Sequence, residues 1–134
     1  MAQVVTPREA FPELGTVANP AVLYDGDSVF FCYEASVRAG GGNVVLKFAG
    51  VIDFHLTPMN VDGIGKCRYR IESYDFNEII DCAEIDKWKI LNPRFWIISF
   101  NDVTIEVLFR SVSYIGRATV DGPQYQTLRD MLGR

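Results

Sequence analysis

Three kinds of residue in this chain could carry chemistry. Asp53, His55 and Thr57 alternate along one strand-like run, so all three project from the same face. A carboxylate beside an imidazole can orient the ring for base catalysis, provided a nucleophile lies within hydrogen-bond reach. Cys32, Cys67 and Cys82 are nucleophiles in principle, but no spacing places any of them beside the histidine. None has CxxC spacing, and each sits among apolar or aromatic neighbours, so they read as buried free thiols. His55 is the single histidine, which excludes most His-rich metal sites. It reads as a structural, solvent-facing residue, and no catalytic, cofactor-binding or metal-ligating residue is assigned. An enzyme is the least favoured class, and no cofactor is expected.

The charged residues fall into two groups. Lys66, Arg68 and Arg70 form a basic stripe along a half-exposed strand, which reads as a solvated face. Gly63-Ile-Gly-Lys66 has the look of a phosphate loop, yet Cys67 follows where Ser or Thr should open a helix. It reads as a plain turn. Glu72, Asp75, Glu78, Asp81, Glu84 and Asp86 form an acidic segment. Calcium-loop spacing needs ligands at alternate positions around a central glycine, and this run has none. A solvated face is the default reading. The sharper expectation is an acidic docking surface for a protein partner with a basic surface.

The elements that must position these groups are mostly strands. The run Phe95 to Arg110 reads as a β-hairpin turning at Asn101-Asp102. That turn pairs Phe100 with Val103, Ile98 with Ile105 and Trp96 with Val107, which puts these residues and Phe109 on one buried face. The opposite face pairs Ser99 with Thr104, Ile97 with Glu106 and Phe95 with Leu108. Asn and Asp suit the turn because they tolerate positive φ. A second hairpin covers Ala21 to Ala35 around Asp25-Gly26-Asp27-Ser28, with Tyr24 opposite Val29 and Val22 opposite Phe31. From Asn43 to Thr57 apolar residues hold period two, which predicts a long strand bent at Gly50 and serving two sheets or closing a barrel. Cys67, Tyr69 and Ile71 alternate with charged residues as a further strand, which Tyr74 and Phe76 continue. A weaker strand covers Asn77 to Cys82, and a short helical turn lies between Ile85 and Leu91. Asp121-Gly122-Pro123 starts a C-terminal helix carrying Tyr125, Leu128, Met131 and Leu132, and Gly133 stops it.

Length and composition bound the rest. A chain of 134 residues, 49% hydrophobic and 13% aromatic, supports one ordered domain with a real core. Residues 1–20, with Pro7, Pro12 and Pro20, form an extended N-terminal arm, and 21–134 form a single β-rich domain. No apolar run reaches the roughly 20 residues of a membrane span. The N-terminus lacks a basic region followed by an apolar one, so a cytoplasmic location is expected. A formal charge of −4 opposes general nucleic-acid binding.

The segment Phe95-Trp-Ile-Ile-Ser-Phe-Asn-Asp-Val-Thr-Ile-Glu-Val resembles a motif of small bacterial β-rich proteins, in which an aromatic-led strand ends in Phe-x-Asp and Thr-x-Glu opens the next. Val44-Val-Leu-Lys-Phe-Ala-Gly-Val looks like their long strand. The similarity spans about Tyr24 to Tyr114, and the chain departs from it at Asn101, where those proteins often carry His. The resemblance implies a fold and no activity. The fold class expected is mainly β, α+β at the margin: a curved antiparallel sheet or partly open barrel with a short C-terminal helix. The function expected is a non-catalytic protein-binding module of immunity or accessory type. A small-molecule binder using the interior of the curved sheet is the alternative. The outer face of the central hairpin carries Phe95, Ile97 and Leu108, too much apolar surface to leave in water. Either the C-terminal helix or a second copy in a homodimer should cover it, and the shortness of the helix favours the homodimer.

Overall fold

The fold is seen in a computed structural model, which describes residues 2–58, 69–119 and 122–133. Its strands are β1 (Gln3–Val5), β2 (Ala21–Tyr24), β3 (Val29–Glu34), β4 (Asn43–Ala49), β5 (Asp53–Pro58), β6 (Phe76–Ile80), β7 (Arg94–Ser99), β8 (Val103–Phe109) and β9 (Ser111–Ala118). Helix α1 covers Ala83–Lys87 and α2 covers Gln124–Met131, with 3₁₀ turns at Val37–Ala39 and Lys89–Leu91. One sheet has the order β1-β6-β7-β8-β5 and the other β2-β3-β4-β9, and every pairing is antiparallel. The two sheets face each other without closing into a barrel. The protein is thus mainly β with a short C-terminal helix, as its alternating pattern implies.

Two strand pairs change sheets together. β4 runs into β5 through Gly50, and β8 runs into β9 through Arg110. The ladder survives this corner, since Arg110 N–H donates to Ala49 O at 3.0 Å and Ile52 N–H to Leu108 O at 2.8 Å. Gly50 has φ of 63°, and a Cβ there would meet the Arg110 side chain at 2.9–3.0 Å. Only glycine fits both constraints. The bend expected at Gly50 is therefore real, and it divides the run into two strands of different sheets.

The interface between the sheets is filled. Phe31, Tyr33, Leu46 and Phe48 meet Trp96, Ile98, Ile105, Val107 and Phe109, and all are buried. Phe48, Trp96 and Phe109 form a closed triangle of edge-to-face rings with centroids 4.8–5.5 Å apart. Such pairs add to the burial of area alone. The central hairpin has the expected register, from Phe95 opposite Leu108 to Ser99 opposite Thr104. The hairpin of β2 and β3 also matches, with Tyr24 opposite Val29 and Val22 opposite Phe31.

Two expectations are corrected. Asn101 and Asp102 do not adopt positive φ, so the hairpin turn is not of the primed type. It is held from outside: Asn101 Nδ2 donates to Thr16 O, Asn19 Nδ2 to Asp102 Oδ2, and the Tyr74 hydroxyl to Asn101 Oδ1. The strand read through Cys67 to Phe76 is coil and turn over residues 69–75, with Tyr74 at φ of 58°. Cys67 and the preceding Lys66 lie outside the described residues, as does Asp121 ahead of α2.

The arm is woven into the domain. β1 extends the first sheet by pairing with β6. Further on, Phe11 packs edge-on against Phe76 and Trp96. The buried Tyr33 hydroxyl donates to Pro12 O at 2.7 Å. The strongest tie is ionic. Arg94 makes paired hydrogen bonds to Glu9 at 2.6 and 2.7 Å and to Glu78 at 2.7 and 3.0 Å, with all three side chains at least four-fifths buried. Its guanidinium also lies 5.5 Å from the Trp96 ring centre.

Removing the cation leaves two carboxylates facing each other out of water. Arg94→Ala should cost about 3 kcal/mol in denaturant melts. The hydrogen bonds from Arg94 also hold the Glu9 carboxyl below the usual carboxylate range. Stability from that source is present above the ordinary carboxylate pKa and is lost as pH falls through the lowered one. Wild-type protein should therefore lose more stability than Glu9→Gln between roughly pH 6 and pH 3.

Candidate functional site

Concavities mark the surface formed by the described residues. The first lies on the outer face of the first sheet beside β5, encloses about 160 Å³, and is lined by Asp53, His55, Glu84, Phe95, Glu106 and Leu108. Strand pairing sets His55 opposite Glu106. His55 Nε2 stands 3.2 Å from Asp53 Oδ2, and both side chains are about three-fifths exposed. Asp53 also caps the Phe54 N–H through Oδ1, and Glu84 accepts the Tyr69 hydroxyl at 2.6 Å. Among the described residues the lining offers no hydroxyl or thiol to a base. Among the described residues no group of three or more His, Cys, Asp or Glu side chains is arranged to hold a metal ion.

The two thiols among the described residues are placed away from water. Cys32 lies under α2, and burial pushes its thiol up to about 12. Cys82 is buried beside Ile79 and Phe95, and burial raises it too. A thiol held protonated at neutral pH is a poor nucleophile.

The acidic segment is dispersed by the fold. Glu72 and Asp75 sit in the coil before β6, Glu78 on β6, Asp81 at its end, and Glu84 and Asp86 on α1. Glu78 is committed to Arg94, Glu84 to Tyr69, and Asp75 to the Phe76 N–H. Of the basic stripe, Arg70 is exposed, while Lys66 and Arg68 lie outside the described residues. The turn at Gly63 to Lys66 lies outside them too.

Phe95, Ile97 and Leu108 are 4%, 1% and 3% exposed within a single chain. Val4 of β1, Ile52, Tyr69, Ile71 and Ile85 of α1 pack over them. This corrects the expectation that α2 or a second copy supplies the cover. Helix α2 instead lies on the outer face of the other sheet, where Leu128, Met131 and Leu132 cover Phe30, Cys32 and Val45. Tyr125, read as an apolar position of that helix, is 59% exposed.

A wider concavity is an open groove of about 410 Å³ at the end of the second sheet where β3 stops and β4 begins. The arm forms one wall with Glu13, Leu14, Gly15, Thr16 and Val17, and the turn Ser36–Asn43 forms the other. The arm is fixed there by main-chain bonds from Gly15 N–H to Glu34 O and from Ser36 N–H to Glu13 O. Leu14 and Ala35 are the buried floor. On the rim Val17 and Val37 are 79% and 95% exposed, beside the Glu13–Arg38 ion pair. Ser36 caps the 3₁₀ turn that presents Val37, and Gly40, Gly41 and Gly42, all at positive φ, carry the chain back into β4. Sequence reasoning missed this groove because main chain and small residues build it. The glycine run was its one visible signal, and it reads equally as a flexible connection. By contrast the sheet interior is occupied: Phe48 and Trp96 are in ring contact, and Tyr24 points outward.

The fold and these surfaces define a two-sheet antiparallel sandwich with filled core and open surface concavities. No protein-family model matches the chain, and no curated protein and no solved structure matches it either.

Two outcomes follow from this placement. Leu108→Glu should destabilise the fold while light scattering gives an unchanged mass, since the face it enters is closed by its own chain. Cys32 and Cys82 should escape iodoacetamide at neutral pH in the folded protein and react fully in denaturant, as read by peptide mass mapping.

Proposed function

We propose that this protein is a non-catalytic protein-binding module of immunity or accessory type, and that the groove between the arm and the Ser36–Asn43 turn takes an extended segment of its partner. The observation carrying this reading is the rim: two valines held in water on opposite walls of the groove. Isolated exposed apolar residues need no explanation, but a pair framing a preformed groove is the pattern of a contact site. Both walls are fixed by main-chain hydrogen bonds, so little order must be imposed on binding. Glu34 lines the groove and the whole chain carries −4, which favours a basic residue beside the apolar one in the partner.

The test is affinity capture from a lysate of the source organism, with cross-linked contacts mapped by mass spectrometry. Wild-type and His55→Ala protein should retain the same partner, cross-linked to the groove walls. The double variant Val17→Asp, Val37→Asp should bind it about tenfold more weakly or worse, since each valine withdraws on the order of 1.5 kcal/mol of apolar burial. Equal retention by the double variant, or cross-links that avoid the groove, would reject this reading.

A further inference from the structure

At the opposite end of β4 the surface changes character. The loop between α1 and β7 forms a small knob from which Ile90 projects at 91% exposure and Trp88 at 38%. Lys87 and Lys89 flank the tryptophan, and the Lys87 ammonium lies 5.7 Å from the centre of its ring. The knob has a fixed shape. Trp88 N–H donates to Ile85 O, Leu91 N–H to Trp88 O, and Asn92, at φ of 51°, closes the 3₁₀ turn by donating to Lys89 O. Beside it a concavity of about 350 Å³ separates Leu91 and Asn92 from the corner at Gly50, and Arg110 lies in its wall. The stem of Arg110 rests on Gly50, which leaves its charged end at the surface. None of Lys87, Lys89 and Arg110 forms an ion pair among the described residues; Asp86 adjoins Lys87 on α1, and Glu84, one turn earlier, accepts the Tyr69 hydroxyl. A chain of negative net charge thus presents an apolar projection flanked by lysines next to a hollow walled by Arg110.

We propose that this knob and the Arg110 hollow dock an acidic protein segment carrying one large apolar side chain. The cations would meet its carboxylates, Ile90 and Trp88 its apolar residue, and the hollow would seat that side chain. Charge complementarity selects this occupant. A second copy meeting the knob symmetrically would set the same cations against each other. A bilayer is a poorer fit, because only two apolar side chains project and a flat surface leaves the hollow unfilled. The proposal is independent of the groove, which lies at the Asn43 end of β4, seven residues or roughly 20 Å away.

Selection from a random-peptide phage library tests it, run in parallel on wild-type protein and on the groove variant Val17→Asp, Val37→Asp. The expected outcome is enrichment, on both proteins, of peptides rich in Asp and Glu around one Leu, Ile or Phe. Labelled copies of those peptides should bind about tenfold more weakly to Lys87→Glu, Lys89→Glu and to Ile90→Ser, both of which should melt like wild type since all three residues are exposed. No enrichment, enrichment of neutral or basic peptides only, or binding unaffected by the knob variants overturns the proposal. So does sedimentation of the protein with phosphatidylserine vesicles that Ile90→Ser abolishes, or self-association that the same variant abolishes. Enrichment on wild type alone would place the binding in the groove and also overturn it, leaving the proposed function standing.

Discussion

The corner at Gly50 and Arg110 is the constraint on which the other parts depend. Two adjacent strands leave one sheet and enter the other side by side, with their hydrogen bonds carried through the turn. The sheets are thereby covalently and sterically tied along one side, and their separation is set there. That separation is what the Phe48, Trp96 and Phe109 rings fill. A larger residue at position 50 would have to displace Arg110 and adopt a strained φ at once. The corner also directs the outer surfaces, since it exposes Arg110 and leaves the hollow between itself and the loop after α1.

The opposite side of the sandwich is closed differently. There the chain uses its own N-terminal arm, and the ties are polar as much as apolar. Arg94 binds Glu9 and Glu78 together, and the Tyr33 hydroxyl finds Pro12 O. Taking charged groups out of water repays its cost only when each is fully partnered, which the paired geometry at Arg94 achieves. The arm then continues past Phe11 to form a wall of the groove, so the device that closes the core also builds this surface concavity.

Much of the fold was legible because strand faces announce themselves. The parity of Trp96, Ile98, Ile105 and Val107 specified both the hairpin and its register, and the glycine at 50 marked the bend. The turn at Asn101 was placed correctly for the wrong reason, because its conformation is dictated by Thr16, Asn19 and Tyr74, all remote in sequence. The acidic segment runs across a coil, a strand and a helix, so its spacing alone could not place it on one face. The groove was illegible for a deeper reason. Its walls are main chain brought together by pairings such as Leu14 with Ala35, which no local pattern encodes. The pairing of Glu9 with Arg94, 85 residues apart, is hidden in the same way.

The weaving of the arm also orders events in time. β1 is made well before its partner β6, and Glu9 waits for Arg94. The inner strand β4 gains its second neighbour only when β9 has been synthesised, long after β3. Loop closure over such spans must be completed before the contacts reward it, which makes topologies of this kind slow to fold. Strands β2 to β4 therefore precede the strands that face and flank them, so their aromatic rings stay uncovered until β6 to β9 have been made.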